Sequence, residues 1–241
     1  MDKELILSGL NFGRVDAETD DRFDSCFIGT EMLRAVLQPK HSLVLGSKGS
    51  GKSAAFRLLC EDQHKVRSLL PRGYKEIFCI PAYGLQNEEY VPGMELRELT
   101  SHSVDDFRYF WLLYIGLKTV ATLEQNGKIK ALVAESKNDE LKAAYKSIVN
   151  VMHDLGLAHE SRIVTKLKQR VGQIFRNSSN NGNHPPEMER LLSGDFRQKT
   201  GMSTLALLDN IDTILRETNC LAWVMLDKLD LLFIDDFEKL K

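Results

Sequence analysis

The sequence has few cysteines for its length, and they stand far apart. The four are Cys26, Cys60, Cys79 and Cys220, and none forms the close pairs that zinc ribbons and redox motifs require. We therefore expect reduced thiols in a protein core and no zinc or redox centre built from cysteine.

An excess of charge of one sign is also missing. The formal net charge is −2 over 241 residues, so there is no global positive field that would attract nucleic acid or an anionic membrane. Nucleic acid stays open as a partner, because local basic patches can still occur, but the net charge does not support it. Hydrophobic residues make up 43% and charged residues 27%, which is typical of folded globular proteins.

Long apolar runs are missing as well, and no secretory leader is expected. The most apolar stretch, Tyr109–Ala121, is too short to cross a bilayer and contains Lys118, so it favours a buried helix with its aromatic side chains in the core. The first four residues, M-D-K-E, lack the basic start of a signal peptide. These features predict a cytoplasmic protein without a membrane span.

One motif carries most of the functional information. Residues 46–53 read G-S-K-G-S-G-K-S and match the phosphate-binding pattern G-x-x-x-x-G-K-[ST], known as Walker A, at every fixed position. Its glycines allow successive N–H groups to surround an anion, aided by the partial positive charge of the following helix start. The residues predicted to hold the nucleotide phosphates are Gly46, Ser47, Lys48, Gly49, Ser50, Gly51, Lys52 and Ser53.

Two side chains of this loop have further predicted roles. Lys52 is expected to reach the β and γ phosphates, and the Ser53 hydroxyl is expected to bind Mg²⁺. A short β-like run, Ser42–Leu45, precedes the loop and a helical pattern, Ser53–Glu61, follows it. This order of strand, glycine loop and helix is the context that the motif requires. The alternative is a Gly/Ser-rich surface turn.

A second acidic element lies near the end of the sequence. The apolar residues 223–226 lead directly to Asp227, which is the form of a Walker B strand. An Asp at the carboxyl end of a buried strand can bind Mg²⁺ through water. The alternative is an ordinary core strand followed by an exposed acid.

The residues after Asp227 bear on hydrolysis. Many ATPases place Glu directly after this Asp to polarise the attacking water, but here that position holds Lys228. The next acid is Asp230, our candidate for the catalytic base, with helix capping as the alternative role. Lys52, Asp227 and Asp230 are thus the predicted catalytic residues.

Several segments resemble known ATPases. The spacing of Asp227 and Asp230 resembles the D-x-h-D arrangement of STAND-class ATPases, and residues 27–31, F-I-G-T-E, resemble the F-I-G-R-E element of AAA-like and STAND proteins, with Thr30 in place of Arg. Together with the D-A-E-T-D run at 16–20, the first sixty residues resemble a poorly characterised group of bacterial P-loop ATPases. This resemblance implies that Ile28 lines the adenine pocket and that the role is regulatory or in phage defence.

The predicted fold is α/β, a P-loop NTPase with an incomplete parallel sheet and a large helical insertion. A second strand is expected at Glu76–Ile80, ended by Pro81, and a third at Leu221–Leu226, both buried on two faces. The further predicted elements are helices at 26–38, 103–117, 139–155, 160–175, 203–217 and 235–241, and a loop at 176–186. The predicted divisions are 1–82 for the lead-in and Walker A half, 83–219 for the insertion and 220–241 for the Walker B strand.

The AAA and STAND ATPases that this chain resembles have further strands after the Walker B strand. Residues 228–241 leave no room for them, so the chain is expected to be a truncated or partial version of a longer ATPase.

The leading functional hypothesis is Mg²⁺-dependent hydrolysis of ATP that drives a change in a partner protein or a neighbouring copy. No N-K-x-D guanine-specifying motif occurs, which favours adenine. Two alternatives stay open: a nucleotide-binding scaffold without hydrolysis, and a small-molecule or nucleotide kinase.

Overall fold

The structure, a computed structural model, describes residues 31–38, 44–47, 49–61, 63–83, 104–156, 194 and 196–227. The chain divides into two compact units, Met1–Arg72 and Gly73–Lys241, and each is described by itself. The predicted divisions of the chain at residues 82 and 219 stay predictions. Several predicted features lie outside the described residues: Ile28, Lys48, Asp230, the run at 16–20, Ser103, and the segments 160–175, 176–186 and 235–241.

The first unit is helical where it is described. Helix α1 spans Glu31–Val36, α2 spans Lys52–Glu61 and α3 spans Gln63–Val66. The helix predicted after the phosphate loop is therefore confirmed. It buries one face, through Phe56, Leu58 and Leu59, as its amphipathic pattern requires.

The strand predicted before the phosphate loop is not found in the part that is described. Residues 44–47 have no regular secondary structure, and Val44 and Leu45 are 44% and 83% exposed. A strand requires a hydrogen-bonded neighbour, and an apolar run alone does not supply one. The prediction of a buried strand is therefore wrong for Val44 and Leu45, while Ser42 and Leu43 lie outside the described residues.

In its described residues, the second unit contains a two-stranded parallel sheet. Strand β1 spans Glu76–Tyr83 and β2 spans Cys220–Leu226, with Glu76 opposite Cys220 and Pro81 opposite Met225. The prediction of two parallel strands is confirmed. The prediction that Pro81 ends β1 is wrong, because proline is tolerated at a strand edge or beside an irregularity, and the ladder shifts register between Pro81 and Tyr83.

The burial of the two strands differs from the predicted pattern. Ile77, Phe78, Ile80 and Ala82 of β1 are buried, whereas Cys220 is the buried residue of β2 and its residues 221–226 are half-buried. An apolar sequence shows that a strand is suited to burial, but the number of layers packed on it decides how far it is buried.

Helices occupy the described residues between the strands, as predicted. Helix α4 spans Val104–Gln125, α5 spans Gly127–Glu135, α6 spans Asp139–Asp154 and α7 spans Thr204–Thr218. Residues 196–200 are also helical. The molecule is thus an α/β protein, mostly helical in its described part, with a short parallel sheet.

Capping residues stabilise the ends of helices α6 and α7. The Asn138 side chain accepts hydrogen bonds from Glu140 N and Leu141 N at the start of α6, and Ser203 accepts one from Ala206 N at the start of α7. Asn219, with φ of 55°, ends α7 in the left-handed conformation. The chain then enters β2 at the next residue, so the cap places the strand directly after the helix.

Helix α4 lies at the centre of the second unit. It contacts both strands and helices α5, α6 and α7, and its residues 116–121 are buried on every side, including Lys118. This confirms the predicted buried helix at 109–121 for the side chains that are described. Among the helices in the described part of the chain, none is both long and apolar enough to cross a membrane.

Candidate functional site

The phosphate-loop sequence forms a compact turn in the first unit. Gly49 and Gly51 have φ of 84° and 85°, a conformation that favours glycine. Ser50 N donates a hydrogen bond to Ser47 O at 3.2 Å, which closes the turn. The two glycines after the first one in the motif are therefore used for their backbone freedom.

The side chain of Lys52 folds back over this turn. Its Nζ donates hydrogen bonds to Gly46 O at 2.7 Å and to Ser47 O at 3.0 Å. These contacts hold the ammonium group beside the carbonyl groups of Gly46 and Ser47. A cation is thus placed at the loop that the motif assigns to phosphate.

The first glycine of the motif is needed for space. A Cβ atom at Gly46 would lie 2.5 Å from Ser50 Oγ and 3.2 Å from Ser50 Cβ, both too close for an unstrained contact. The requirement at position 46 is therefore steric, whereas at positions 49 and 51 it is conformational.

Helix α2 begins directly at Lys52. Ala55 N donates a hydrogen bond to Gly51 O at 2.9 Å, so the first turn of the helix includes the last glycine of the loop. Ser53 lies in this first turn and is half-buried. The free N–H groups and the dipole of a helix start favour an anion, so the loop and helix form one continuous element suited to bind phosphate.

Asp227 belongs to the second unit. It follows β2 directly, at the carboxyl end of the strand, as predicted. Its Oδ2 atom is buried and has no hydrogen-bond partner among the described residues. A buried carboxylate oxygen without a partner is energetically costly, so this atom is suited to receive a hydrogen bond or a metal-bound water.

The structure describes the two halves of the predicted site separately. Lys52 and Ser53 lie in the first unit and Asp227 lies in the second, so their meeting at one nucleotide stays a prediction. Ile28, Lys48 and Asp230 lie outside the described residues. Within the described residues no group of three or more His, Cys, Asp or Glu could by itself hold a metal ion, so Mg²⁺ at Asp227 would take other oxygens from water or phosphate.

One residue that contacts the end of β1 was not singled out as functional by the sequence. Tyr114 of α4 was predicted to be a core aromatic, and it is 1% exposed. Its hydroxyl also donates a hydrogen bond to Ala82 O at 2.7 Å, near the end of β1. No sequence signal gives this contact, because it joins residues of two different elements.

Three cysteines lie within the described residues. Cys60, Cys79 and Cys220 are not engaged in disulfides, and Cys26 lies outside the described residues. Burial raises the pKa of the Cys79 thiol to about 12, which keeps it protonated near neutral pH.

Comparisons with family models, with curated proteins and with solved structures give no match to this chain. The functional assignment therefore depends on the motif residues and on their local geometry.

Proposed function

We propose that this protein binds Mg²⁺ and ATP through a P-loop and hydrolyses the ATP. The observation that carries the proposal is the complete Walker A sequence at 46–53, with the Lys52 ammonium folded onto the loop and helix α2 beginning at once. In this proposal the loop N–H groups and Lys52 bind the phosphates, and glycine at 46, 49 and 51 permits the loop conformation.

Magnesium is implied by the same motif, and two described residues fit it. Ser53 offers a hydroxyl in the first turn of α2, and Asp227 offers a buried carboxylate oxygen without a partner among the described residues. Hard oxygen ligands of this kind are those that Mg²⁺ prefers, with water completing its shell. A bound Mg²⁺ would supply neutralisation of the charge that develops on the phosphoryl group.

The choice of nucleotide and the hydrolytic step rest on the sequence. The absence of N-K-x-D favours ATP over GTP, and Ile28 is assigned to the adenine pocket by resemblance. Asp230 is the proposed base that orients water. ATP turnover in the cytoplasm would drive a regulatory or defence-related change in a partner protein or a second copy of the chain.

A hydrolysis-deficient nucleotide-binding scaffold is the second candidate. Lys228 occupies the position that many ATPases give to Glu, and this observation favours binding without turnover. A nucleotide or small-molecule kinase is a weaker candidate, because no Arg-rich lid is evident in the sequence.

The test combines binding and turnover in one set of samples. A fluorescent ATP analogue is titrated into wild type, Lys52→Ala and the control Arg67→Ala in Mg²⁺, and phosphate release is followed. Arg67 is an exposed cation of the same unit outside the loop, so it controls for loss of a surface charge. We expect Lys52→Ala to lose nucleotide binding and phosphate release, and Arg67→Ala to retain both.

The other outcomes separate the candidates. Binding without phosphate release, unchanged by Asp230→Ala, would replace the ATPase with the scaffold. Phosphate transfer to an added small-molecule acceptor would favour the kinase. Equal binding by wild type and Lys52→Ala, or none by either, would refute a P-loop in this chain.

A further inference from the structure

The ladder between β1 and β2 is irregular just before Asp227. Pro81 is opposite Met225 and Tyr83 is opposite Leu226, so Ala82 is an additional residue on β1. Such a bulge bends its strand and locally interrupts pairing, and bulges often occur beside functional sites. The two strands therefore end their pairing at a distorted position, one residue before Asp227.

A side chain from another element binds this additional residue. The Tyr114 hydroxyl donates a hydrogen bond of 2.7 Å to Ala82 O, and both residues are buried. Helix α4 thus supplies a hydrogen bond at the bulge. A buried carbonyl oxygen is seldom left without a partner, so this bond stabilises the distorted conformation.

The ring of Tyr114 is itself held in place. Trp111, one turn earlier on α4, contacts it edge-to-face with ring centroids 5.8 Å apart and an interplanar angle of 78°. The hydroxyl is therefore presented to Ala82 O by a packed aromatic pair. This arrangement joins a rigid helix to the carboxyl end of the sheet, the edge at which ligands bind in open α/β proteins.

We propose that Tyr114 is a positioning residue for Asp227, which it orients by holding the β1 bulge where the two strands separate. This inference rests on the proposed function, because it assigns the Asp227 carboxylate to hydrated Mg²⁺. In this proposal Tyr114 acts through Ala82, the neighbouring Tyr83 and its ladder partner Leu226, and not by contact with nucleotide or metal. Loss of its hydroxyl releases the strand ends and lets the carboxylate move, which weakens binding of Mg²⁺.

The test uses Tyr114→Phe, which keeps the ring and removes the hydroxyl. The matched control is Thr218→Val, because the Thr218 hydroxyl is also buried and donates to a backbone carbonyl, Ile214 O, at 2.6 Å. That bond lies before the amino end of β2, the opposite end from Asp227. Each variant loses a buried hydroxyl that donates to backbone carbonyl oxygen, and the Thr218 hydroxyl has a second, longer contact of 3.4 Å with Leu215 O.

Two measurements are made on each full-length variant. Hydrogen exchange followed by mass spectrometry reports on peptides that cover 82–83 and 226–227, without any nucleotide. Titration with Mg²⁺ at a fixed concentration of ATP analogue gives the concentration needed for half-maximal Mg²⁺-dependent binding, and titration in EDTA gives binding of the metal-free analogue.

We expect Tyr114→Phe to speed exchange at 82–83 and 226–227 and to raise the Mg²⁺ requirement about tenfold, the lower end of the effect of removing outer-shell partners of metal ligands. Binding in EDTA should be unchanged, and Thr218→Val should show neither effect. Equal behaviour of the two variants would overturn the role of Tyr114. A wild-type protein without Mg²⁺-dependent nucleotide binding would instead overturn the proposed function and with it the role of Asp227.

Discussion

The geometry of the proposed phosphate loop, residues 46–53, leads to a specific prediction about Gly46. In Gly46→Ala the new Cβ would lie 2.5 Å from Ser50 Oγ and 3.2 Å from Ser50 Cβ. Rotation of the Ser50 side chain can move its Oγ away, but the Cβ contact remains because that atom is fixed to the backbone. The closed turn between Ser47 and Ser50 must therefore open slightly to accept the methyl group.

The magnitude follows from the kind of contact. Overpacking by one methyl group typically costs about 1–3 kcal/mol, and the lower part of that range applies because this loop is exposed. A cost of about 1–2 kcal/mol corresponds to roughly 5- to 30-fold weaker binding of ATP. Ser50→Gly removes both contacts, so the double variant Gly46→Ala/Ser50→Gly should bind ATP nearly as well as Ser50→Gly alone.

A double-mutant cycle with the fluorescent ATP analogue measures this coupling. The control is Gly49→Ala, because a Cβ at Gly49 meets no described atom within 4 Å but the residue has φ of 84°. Its cost comes from the backbone, about 1–2 kcal/mol, and Ser50→Gly should not relieve it. If Ser50→Gly rescues both glycine variants or neither, the steric explanation for Gly46 is refuted.

Two further predictions concern stability, and both are measured by unfolding. Gly116→Ala places a Cβ 3.1 Å from Leu207 Cδ2 where α4 meets α7, so overpacking offsets the gain in helix propensity of about 1 kcal/mol. In Gly127→Ala the new Cβ meets no described atom within 4 Å. This variant should raise the free energy of unfolding, measured in urea, by about 0.5–1 kcal/mol. Equal stabilisation by both variants would contradict the close approach of the two helices. The pKa of Cys79 is raised by burial from 9.0 to about 12, so the folded state retains a proton that the unfolded state loses as the pH rises above 9. Its contribution to stability is therefore complete below pH 9 and is lost between pH 9 and 12. The thermal unfolding temperature of Cys79→Ala should fall less over that range than that of wild type. An identical fall in the two proteins would show that the thiol is not buried.

The fold could be predicted from the sequence where the signal is local. Helices at 139–154 and 204–218 follow from apolar periodicity, since this signal lies within each helix itself. The parallel strands at 76–83 and 220–226 also follow, because their apolar runs are suited to pairing. The extension of β1 through Pro81 could not be foreseen, since it depends on the neighbouring strand.

The candidate site likewise has features that the local sequence gives and features that depend on contacts between elements. The sequence by itself determined the match to the Walker A pattern at 46–53 and the acid that directly follows the apolar residues 223–226, because each is a short run of residue types that needs no contact between distant elements. Tertiary structure alone decided that Val44 and Leu45 are exposed, that Asp227 Oδ2 is buried, and that Tyr114 binds the bulge at Ala82. Each of these depends on contacts between elements distant in the chain, and no local pattern encodes which elements will pack together.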